Sequence, residues 1–286
     1  MRIIIISDVS ANSESIIPWG LNLGKHTGSE VDILHLIDPR ENQGVESQIG
    51  DSKSVTPGEK LSFEEIRERE KGIAVNKLDK LLSKEASRLN YPLKINRIIE
   101  TGELEKKLKI ITSDHPRSLL VTSTIFKGNV FRDLDEFLSI IKNIDIPAFM
   151  VPPGTAFNKP EKVFFLTDFS QSPGDDLSLM FEWINPFHPV VNACEVTKKM
   201  DQFISAEIVG KTWKQKVKEY IDPSIVLKTN KLKGDNHIKT VSNYVERNDF
   251  EWVILPKKKK ESKKKIFSVN ITRQLVKSLD KPLLLY

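Results

Sequence analysis

The sequence predicts an α/β protein of two similar domains, each an open five-stranded parallel sheet flanked by helices. First, the segment Ile3–Ser10 (IIIISDVS) returns as Val163–Ser170 (VFFLTDFS), an offset of 168 − 8 = 160 positions. Second, each half closes alike, on Asp145–Val151 (DIPAFMV) and on Asp280–Tyr286 (DKPLLLY). Third, short apolar runs alternate with longer amphipathic segments, as in parallel strands joined by helices. A period this long indicates duplicated globular domains, since solenoid repeats recur every ~20 to 50 residues.

Continuous apolar runs predict the strands, and the longer segments between them predict the helices. In the first half we expect strands at 2–7, 31–37, 93–100, 118–123 and 147–151, with helices near 12–27, 63–89, 103–114 and 133–143. In the second half we expect strands near 162–167, 190–196, 225–227, 252–255 and 283–285, with helices near 173–184, 203–220, 235–248 and 267–279. Leu78, Leu81, Leu82 and Leu89 show the spacing of a helix that docks one stripe onto a sheet.

The domain boundary is predicted at Pro152–Pro160, where three prolines and a glycine exclude regular structure. We therefore expect domain 1 over 1–152, a linker over 153–161 and domain 2 over 162–286. The last strands, 149–151 and 283–285, are short and wholly apolar, and an exposed apolar edge favours pairing. If these two strands pair with each other, the two domains form an internal pseudo-dimer, which is the arrangement we expect.

Composition favours a cytoplasmic protein without a membrane span. Cys194 is the single cysteine, which excludes an intramolecular disulfide, and no stretch approaches the ~18 apolar residues of a spanning helix. The apolar run after Met1 is too short for a signal peptide. Residues 1–152 hold 21 Lys+Arg against 23 Asp+Glu, a net of −2, and the remainder holds 23 against 16, a net of +7. The basic charge is therefore local, since Lys257–Lys265 alone contributes 7 − 1 = +6.

One segment differs between the halves. The polar stretch 38–60 follows the second strand of the first half, whereas the second half has only 197–202 at that place. A solvated loop and a lid over a ligand both fit such a composition.

Ligands of open parallel α/β sheets lie beyond the carboxyl ends of strands, where the strand order reverses. Asp8-Val9-Ser10 and Asp168-Phe169-Ser170 occupy such strand ends, each at a turn into a helix. The carboxylate can accept hydrogen bonds from a ribose or base, or it can simply cap the helix together with the serine. Both interpretations stay open for either copy.

These features together resemble a tandem of two universal stress protein domains across nearly the whole chain. The resemblance rests on the strand ending in Asp8 or Asp168, the order of the elements, and the closing D-x-P strand at Asp145 and Asp280. It implies domain pairing through the last strand and stress-adaptation roles, with ATP bound by some members.

The ATP-binding members carry a glycine pattern, G-x2-G-x9-G, after the fourth strand, because backbone N–H groups close on the phosphates there. Here Ser123 and Thr124 lead into Lys127 and Gly128, and no further glycine occurs before Gly154. The second half has none after Gly234. We therefore expect no usual triphosphate cradle and no cofactor, with ATP as the less favoured ligand.

The run that begins at Lys257 and Lys258 stands where the second glycine loop would be. Its lysines could hold phosphates as point charges, could contact an anionic partner, or could simply keep a loop solvated. No aromatic residues are interleaved, so nucleic acid is not favoured.

No catalytic motif occurs, the five histidines lack metal-site spacing, and Cys194 lies in an apolar strand. The sequence thus predicts a non-catalytic regulatory or binding protein in stress adaptation, with a protein partner or self-association and room for a small-molecule ligand. One alternative is an ATP or AMP binder, or a weak ATPase, that uses Asp8 or Asp168 with lysines. A second alternative is an adaptor for an anionic partner through Lys257–Lys265.

Overall fold

The computed structural model describes residues 1–10, 13–37, 63–125, 133–169, 175–197, 203–257 and 269–286. These residues form two compact units, Met1–Ile144 and Asp145–Tyr286. The second unit includes the strand that ends the first sequence repeat. The division into 1–152, 153–161 and 162–286 stays a prediction about where the repeats begin and end.

Unit 1 alternates strands and helices, in the order that the apolar periodicity predicts. Its elements are β1 (Arg2–Ile6), α1 (Ser13–Thr27), β2 (Glu30–Ile37), α2 (Phe63–Leu89), β3 (Ile95–Thr101), α3 (Leu104–Asp114), β4 (Ser118–Ser123) and α4 (Leu134–Lys142). The strands lie in the order β3-β2-β1-β4 with parallel pairing throughout. Strands β1 and β4 are buried along nearly their whole length, as expected where helices cover both faces of a sheet.

Unit 2 repeats this order and adds two strands, one before the repeat and one after it. Its elements are β5 (Ala148–Val151), β6 (Lys162–Leu166), α5 (Asp175–Ile184), a short 3-10 turn (Asn185–Phe187), β7 (Val190–Thr197), α6 (Phe203–Val217), β8 (Val226–Lys233), α7 (His237–Arg247), β9 (Trp252–Leu255), α8 (Val269–Ser278) and β10 (Leu283–Leu285). The sheet runs β5-β10-β9-β6-β7-β8, in which β10, β9, β6, β7 and β8 pair in parallel. The predicted five-stranded parallel sheet is therefore confirmed.

Strand β5 pairs antiparallel with β10, with Phe149 opposite Leu284. Both strands are completely buried, because each covers the apolar edge of the other. The Phe149 ring also stands edge-on to Trp252 at 4.8 Å between centroids. The predicted pairing of the two last strands is confirmed.

The main error in the element prediction concerns β8. We expected a strand over 225–227, but β8 extends from Val226 to Lys233 and pairs with β7 along that whole length. Its sequence, VLKTNKLK, holds three lysines and no apolar run, because β8 lies at the edge of the sheet of unit 2, where all its residues except Leu227 are at least partly exposed.

Within the described ranges, no helix has the length and apolarity that crossing a bilayer demands.

Candidate functional site

The strand order places the crevice of each unit beyond two adjacent strand ends. In unit 1 the order reverses between β1 and β4, and in unit 2 it reverses between β6 and β9. Register pairs Ile5 with Val121, so the segment after β1 lies beside Ser123 at the end of β4. The predicted residues Asp8, Ser123 and Thr124 therefore lie at the same opening, the carboxyl end of the crevice between β1 and β4. We call this opening, and the corresponding one in unit 2, the mouth of the unit.

Both units form the same turn at their respective mouths, directly after the first strand of the repeat. The amide N–H of Val9 donates to the hydroxyl oxygen of Ser7, and that of Phe169 donates to the hydroxyl oxygen of Thr167, each at 3.2 Å. Val9 and Phe169 both take left-handed backbone angles, with φ of 48° and 54°. A β-branched or bulky residue rarely adopts this conformation, and backbone strain of this kind concentrates at functional sites.

In unit 1 the carboxylate of Asp8 organises its own turn. Its Oδ1 atom accepts hydrogen bonds from the backbone amide of Ser10 at 2.9 Å and from the Ser10 hydroxyl at 2.6 Å. Asp8 and Ser10 are half-buried, so the pair lies at the protein surface. The capping interpretation therefore accounts for Oδ1, while the location at the crevice keeps the binding interpretation open.

His35 lies directly behind this turn, on the neighbouring strand β2. Its Nδ1 atom is 2.9 Å from the carbonyl oxygen of Ser7, so the nitrogen carries the proton and donates it. Burial lowers the pKa of His35 below its ordinary value, against the opposing effects of the Ser7 carbonyl and the Asp8 carboxylate. A neutral, buried imidazole thus supports the turn that holds Asp8.

On the other side of the mouth, side-chain oxygens at the end of β4 and the start of α4 accept hydrogen bonds from backbone amides. The Ser123 hydroxyl accepts the amide hydrogen of Ile125 at 3.1 Å. The Asp133 carboxylate caps α4 by accepting from the Glu136 amide at 2.9 Å. Asp135 and Glu136 add two acidic side chains to the first turn of α4. The start of this helix therefore carries three carboxylates.

The mouth of unit 2 has the same backbone but aromatic walls. Asp168 is only 4% exposed, and Phe169 beside it is 5% exposed. The Phe169 ring stands edge-on to Trp213 of α6 at 5.3 Å, and Trp213 also contacts Phe165 at 5.7 Å. Asp168 is therefore buried next to an aromatic cluster, whereas Asp8 of unit 1 is only half-buried.

The surroundings of Lys257 and Cys194 indicate structural roles for both residues. Lys257 follows β9; its amide donates to the carbonyl oxygen of Tyr286 at 2.6 Å, and its ammonium group donates to the carbonyl oxygen of Ile146. Cys194 is completely buried, and that burial raises the pKa of its thiol to about 12. The remaining predicted positions, Lys127, Gly128, Ser170, Lys258 and the segment 38–60, lie outside the described residues.

Sequence reasoning missed two parts of this site. The paired hydroxyls of Ser7 and Thr167 could have been found, because the repeat places a hydroxyl residue directly before each aspartate. His35 could not, since its partner is a backbone carbonyl on the adjacent strand. Trp213 packs against the predicted site residue Phe169.

Several solved structures share this fold over 99% of the chain. A universal stress protein from Archaeoglobus fulgidus is 12% identical, matches over 95% of its own length and has a TM-score of 0.65. A protein of Pseudomonas aeruginosa described as a universal stress protein is 11% identical, matches over 92% of its length and has a TM-score of 0.56. The cytoplasmic domain of a prokaryotic cation chloride cotransporter is 12% identical, matches over 94% of its length and has a TM-score of 0.54. No protein-family model and no curated protein sequence matches the chain.

Proposed function

We propose that this chain is a tandem universal-stress-type protein of the cytoplasm that works by binding, without catalysis, in adaptation to stress. In this proposal it does not hold Mg-ATP in the usual triphosphate cradle. The fold is that of universal stress proteins, and both units have the same hydroxyl-to-amide hydrogen bond and the same left-handed residue after the first strand. The observation that carries the proposal is the acidic first turn of α4, at the mouth of unit 1.

The electrostatics of α4 oppose a polyphosphate. A helix N-terminus attracts anions through its free N–H groups and its dipole. Here the carboxylate of Asp133 already accepts one of those N–H groups. Asp135 and Glu136 follow directly, so a triphosphate at this position would meet three like charges.

One protein that shares this fold is the cytoplasmic domain of a cotransporter, so the fold also occurs as part of a larger protein. The acidic turn belongs to unit 1, and the side chains described at the two mouths also differ in other ways. These differences argue against one ligand occupying both units.

A nucleoside or its monophosphate at unit 1 is the second candidate. The half-buried Asp8 carboxylate lies at the crevice, where a ribose hydroxyl or a base amine could donate to it. Such a ligand would need no cradle for three phosphates. The same position would serve a weak ATPase that uses Asp8 with nearby lysines, at the cost of the repulsion described above.

Calorimetric titration with Mg-ATP, AMP and adenosine separates these functions, together with mass spectrometry of small molecules released from denatured protein. The proposal predicts no released nucleotide and no micromolar heat with Mg-ATP. Micromolar binding of Mg-ATP would overturn it. Binding of adenosine or AMP that disappears in Asp8→Asn but persists in Asp114→Asn, an exposed control, would establish the second candidate instead.

A further inference from the structure

A separate cavity opens on unit 1, away from the crevice between β1 and β4. It measures about 330 Å³ and lies where β2 and β3 end, beneath the first turns of α2. Ile37 and Ile99 supply its apolar lining, and Thr101, opposite Ile37 in the strand register, supplies a hydroxyl. The carboxyl edge of a parallel sheet is the usual location of ligands in this class of fold, and the volume suits a small molecule.

Two cationic side chains of α2 line this cavity, Arg67 and Lys71. The carboxylate nearest to the Arg67 guanidinium is that of Glu68 at 3.9 Å, which is too far for a hydrogen bond. The Arg67 side chain is nevertheless only 39% exposed. Among the described residues, neither Arg67 nor Lys71 donates a hydrogen bond to any group.

Two carboxylates also line the cavity, and their situations differ. Glu100 forms an ion pair with Lys107, so its charge is already balanced. The Glu68 side chain is 62% exposed, and its one ion pair within the described part of the chain is the distant contact with Arg67. The groups still open to a ligand are thus two cations, one carboxylate and one hydroxyl, beside two isoleucine side chains.

We propose that this cavity binds a small zwitterion, specifically an α-amino acid with an aliphatic side chain. The ligand carboxylate pairs with Arg67, whose planar guanidinium suits two parallel hydrogen bonds, and with Lys71. The ligand ammonium group pairs with Glu68, and the aliphatic side chain contacts Ile37 and Ile99. A plain anion bound to Arg67 and Lys71 would place its charge beside the Glu68 carboxylate, so the mixture of charges favours a ligand that carries both signs.

This site is independent of the proposed function at Asp8. It uses α2, β2 and β3, and none of the residues discussed for nucleotides. Its failure would leave the conclusion about Mg-ATP unchanged, and Mg-ATP binding would leave this site untouched.

The test is titration of the full chain with L-valine, L-leucine and L-isoleucine, followed by calorimetry and by amide resonances of Thr101 and Gly102. Two analogues of leucine, 4-methylpentanoate and 3-methylbutylamine, each lack one charge, and inorganic phosphate tests a simple anion site. We expect at least one amino acid to bind and to shift both resonances, and each analogue to bind about tenfold more weakly or worse.

Variants complete the test. Lys71→Gln and Arg67→Gln should each weaken amino acid binding by about tenfold. Lys80→Gln, an exposed lysine of the same helix outside the cavity, should leave binding unchanged. Unchanged melting temperatures would show that the variants remain folded. The proposal is overturned if none of the three amino acids binds, if phosphate binds as tightly as they do, or if neither cavity variant weakens binding.

Discussion

The turns at the mouths of unit 1 and unit 2 share a backbone conformation, but the described side chains around them differ. Asp8 is half-buried beside Val9, whereas Asp168 is nearly inaccessible beside Phe169, which packs against Trp213. Behind the first turn lies neutral His35, and the matching position of unit 2, 160 residues later, is Glu195. Glu195 forms an ion pair with Lys231 at 2.9 Å, with both side chains mostly buried.

This difference teaches that the duplicated part is the scaffold and not the chemistry. Both units have a hydroxyl that accepts a hydrogen bond from the backbone amide two residues later, and both have a left-handed residue directly after the aspartate. These features recur because the chain must turn sharply from strand to helix there. The side chains around that turn are not constrained by it, so they could diverge. Among the described residues, Asp8 keeps the more exposed carboxylate, and Asp168 is buried beside the Phe169 and Trp213 rings.

The largest effect is expected on the free energy of unfolding when glycine replaces the left-handed residue of each unit, because this change removes the side chain that differs between the two mouths. Phe169→Gly removes a buried ring and should lower the free energy of unfolding by about 2–4 kcal/mol, since the lost packing exceeds the strain that is relieved. Val9→Gly removes a smaller side chain and relieves the same strain, so its effect should stay within about 1 kcal/mol. Urea denaturation of both variants measures the difference. Equal losses of unfolding free energy in the two variants would show that the Phe169 ring contributes no stability beyond that of its backbone.

The next effect concerns how closely α1 approaches β1. A Cβ at Gly20 would lie 2.5 Å from Cδ1 and 2.8 Å from Cγ1 of the buried Ile5. Gly20→Ala should therefore destabilise the protein by about 1–3 kcal/mol. Gly72→Ala is the matched control, because a Cβ there meets no atom within 4 Å and α2 should gain up to about 1 kcal/mol. In unit 2 the position that corresponds to Gly20 is Met180, so this glycine contact is not repeated there. A neutral Gly20→Ala would contradict this account.

A smaller effect follows from His35 and depends on pH. Its pKa is lowered in the folded state, so the unfolded chain binds the proton more readily, and stability falls as the pH drops below the ordinary value of 6.5. The free energy of unfolding should decrease between about pH 7 and pH 5, by at most about 1.4 kcal/mol per pH unit from this residue. The decrease should shrink in His35→Gln and persist in His188→Gln, an exposed histidine of unit 2. Identical pH profiles in the two variants would remove His35 from the explanation.

The smallest effect concerns the thiol of Cys194, whose position in unit 1 is taken by Leu34. With a pKa near 12 and complete burial, it should resist iodoacetamide in the native protein at about pH 8. Alkylation should be complete after unfolding in urea, as mass spectrometry of the intact chain would show. Rapid labelling of the native state would mean that β7 opens locally.

The sequence was sufficient for the fold because its signals were long and repeated. Buried runs such as Ile3–Ile6 leave little choice other than a central parallel strand, and the apolar segments at Phe149 and Leu284 required partners, which they find in each other. Strand β8 was underestimated because an edge strand needs no apolar run; its register with β7 defines it instead.

The site was less predictable, for reasons that are physical. Asp8 and Asp168 could be placed at strand ends from the repeat, but their burial depends on neighbours from other elements. Trp213 is distant in sequence from Phe169, so a closed mouth in unit 2 could not be inferred from either residue alone. The cavity beneath α2 likewise depends on how a helix lies over two strand ends, which periodicity does not define.

The most direct test of the central claim is calorimetric titration of the full chain with Mg-ATP, followed by the amide resonances of Thr124, Ile125 and Asp133. We predict no heat at micromolar nucleotide and no shift in these resonances, because the start of α4 is already occupied by carboxylates. Saturable micromolar binding accompanied by shifts at those three amides would contradict the account.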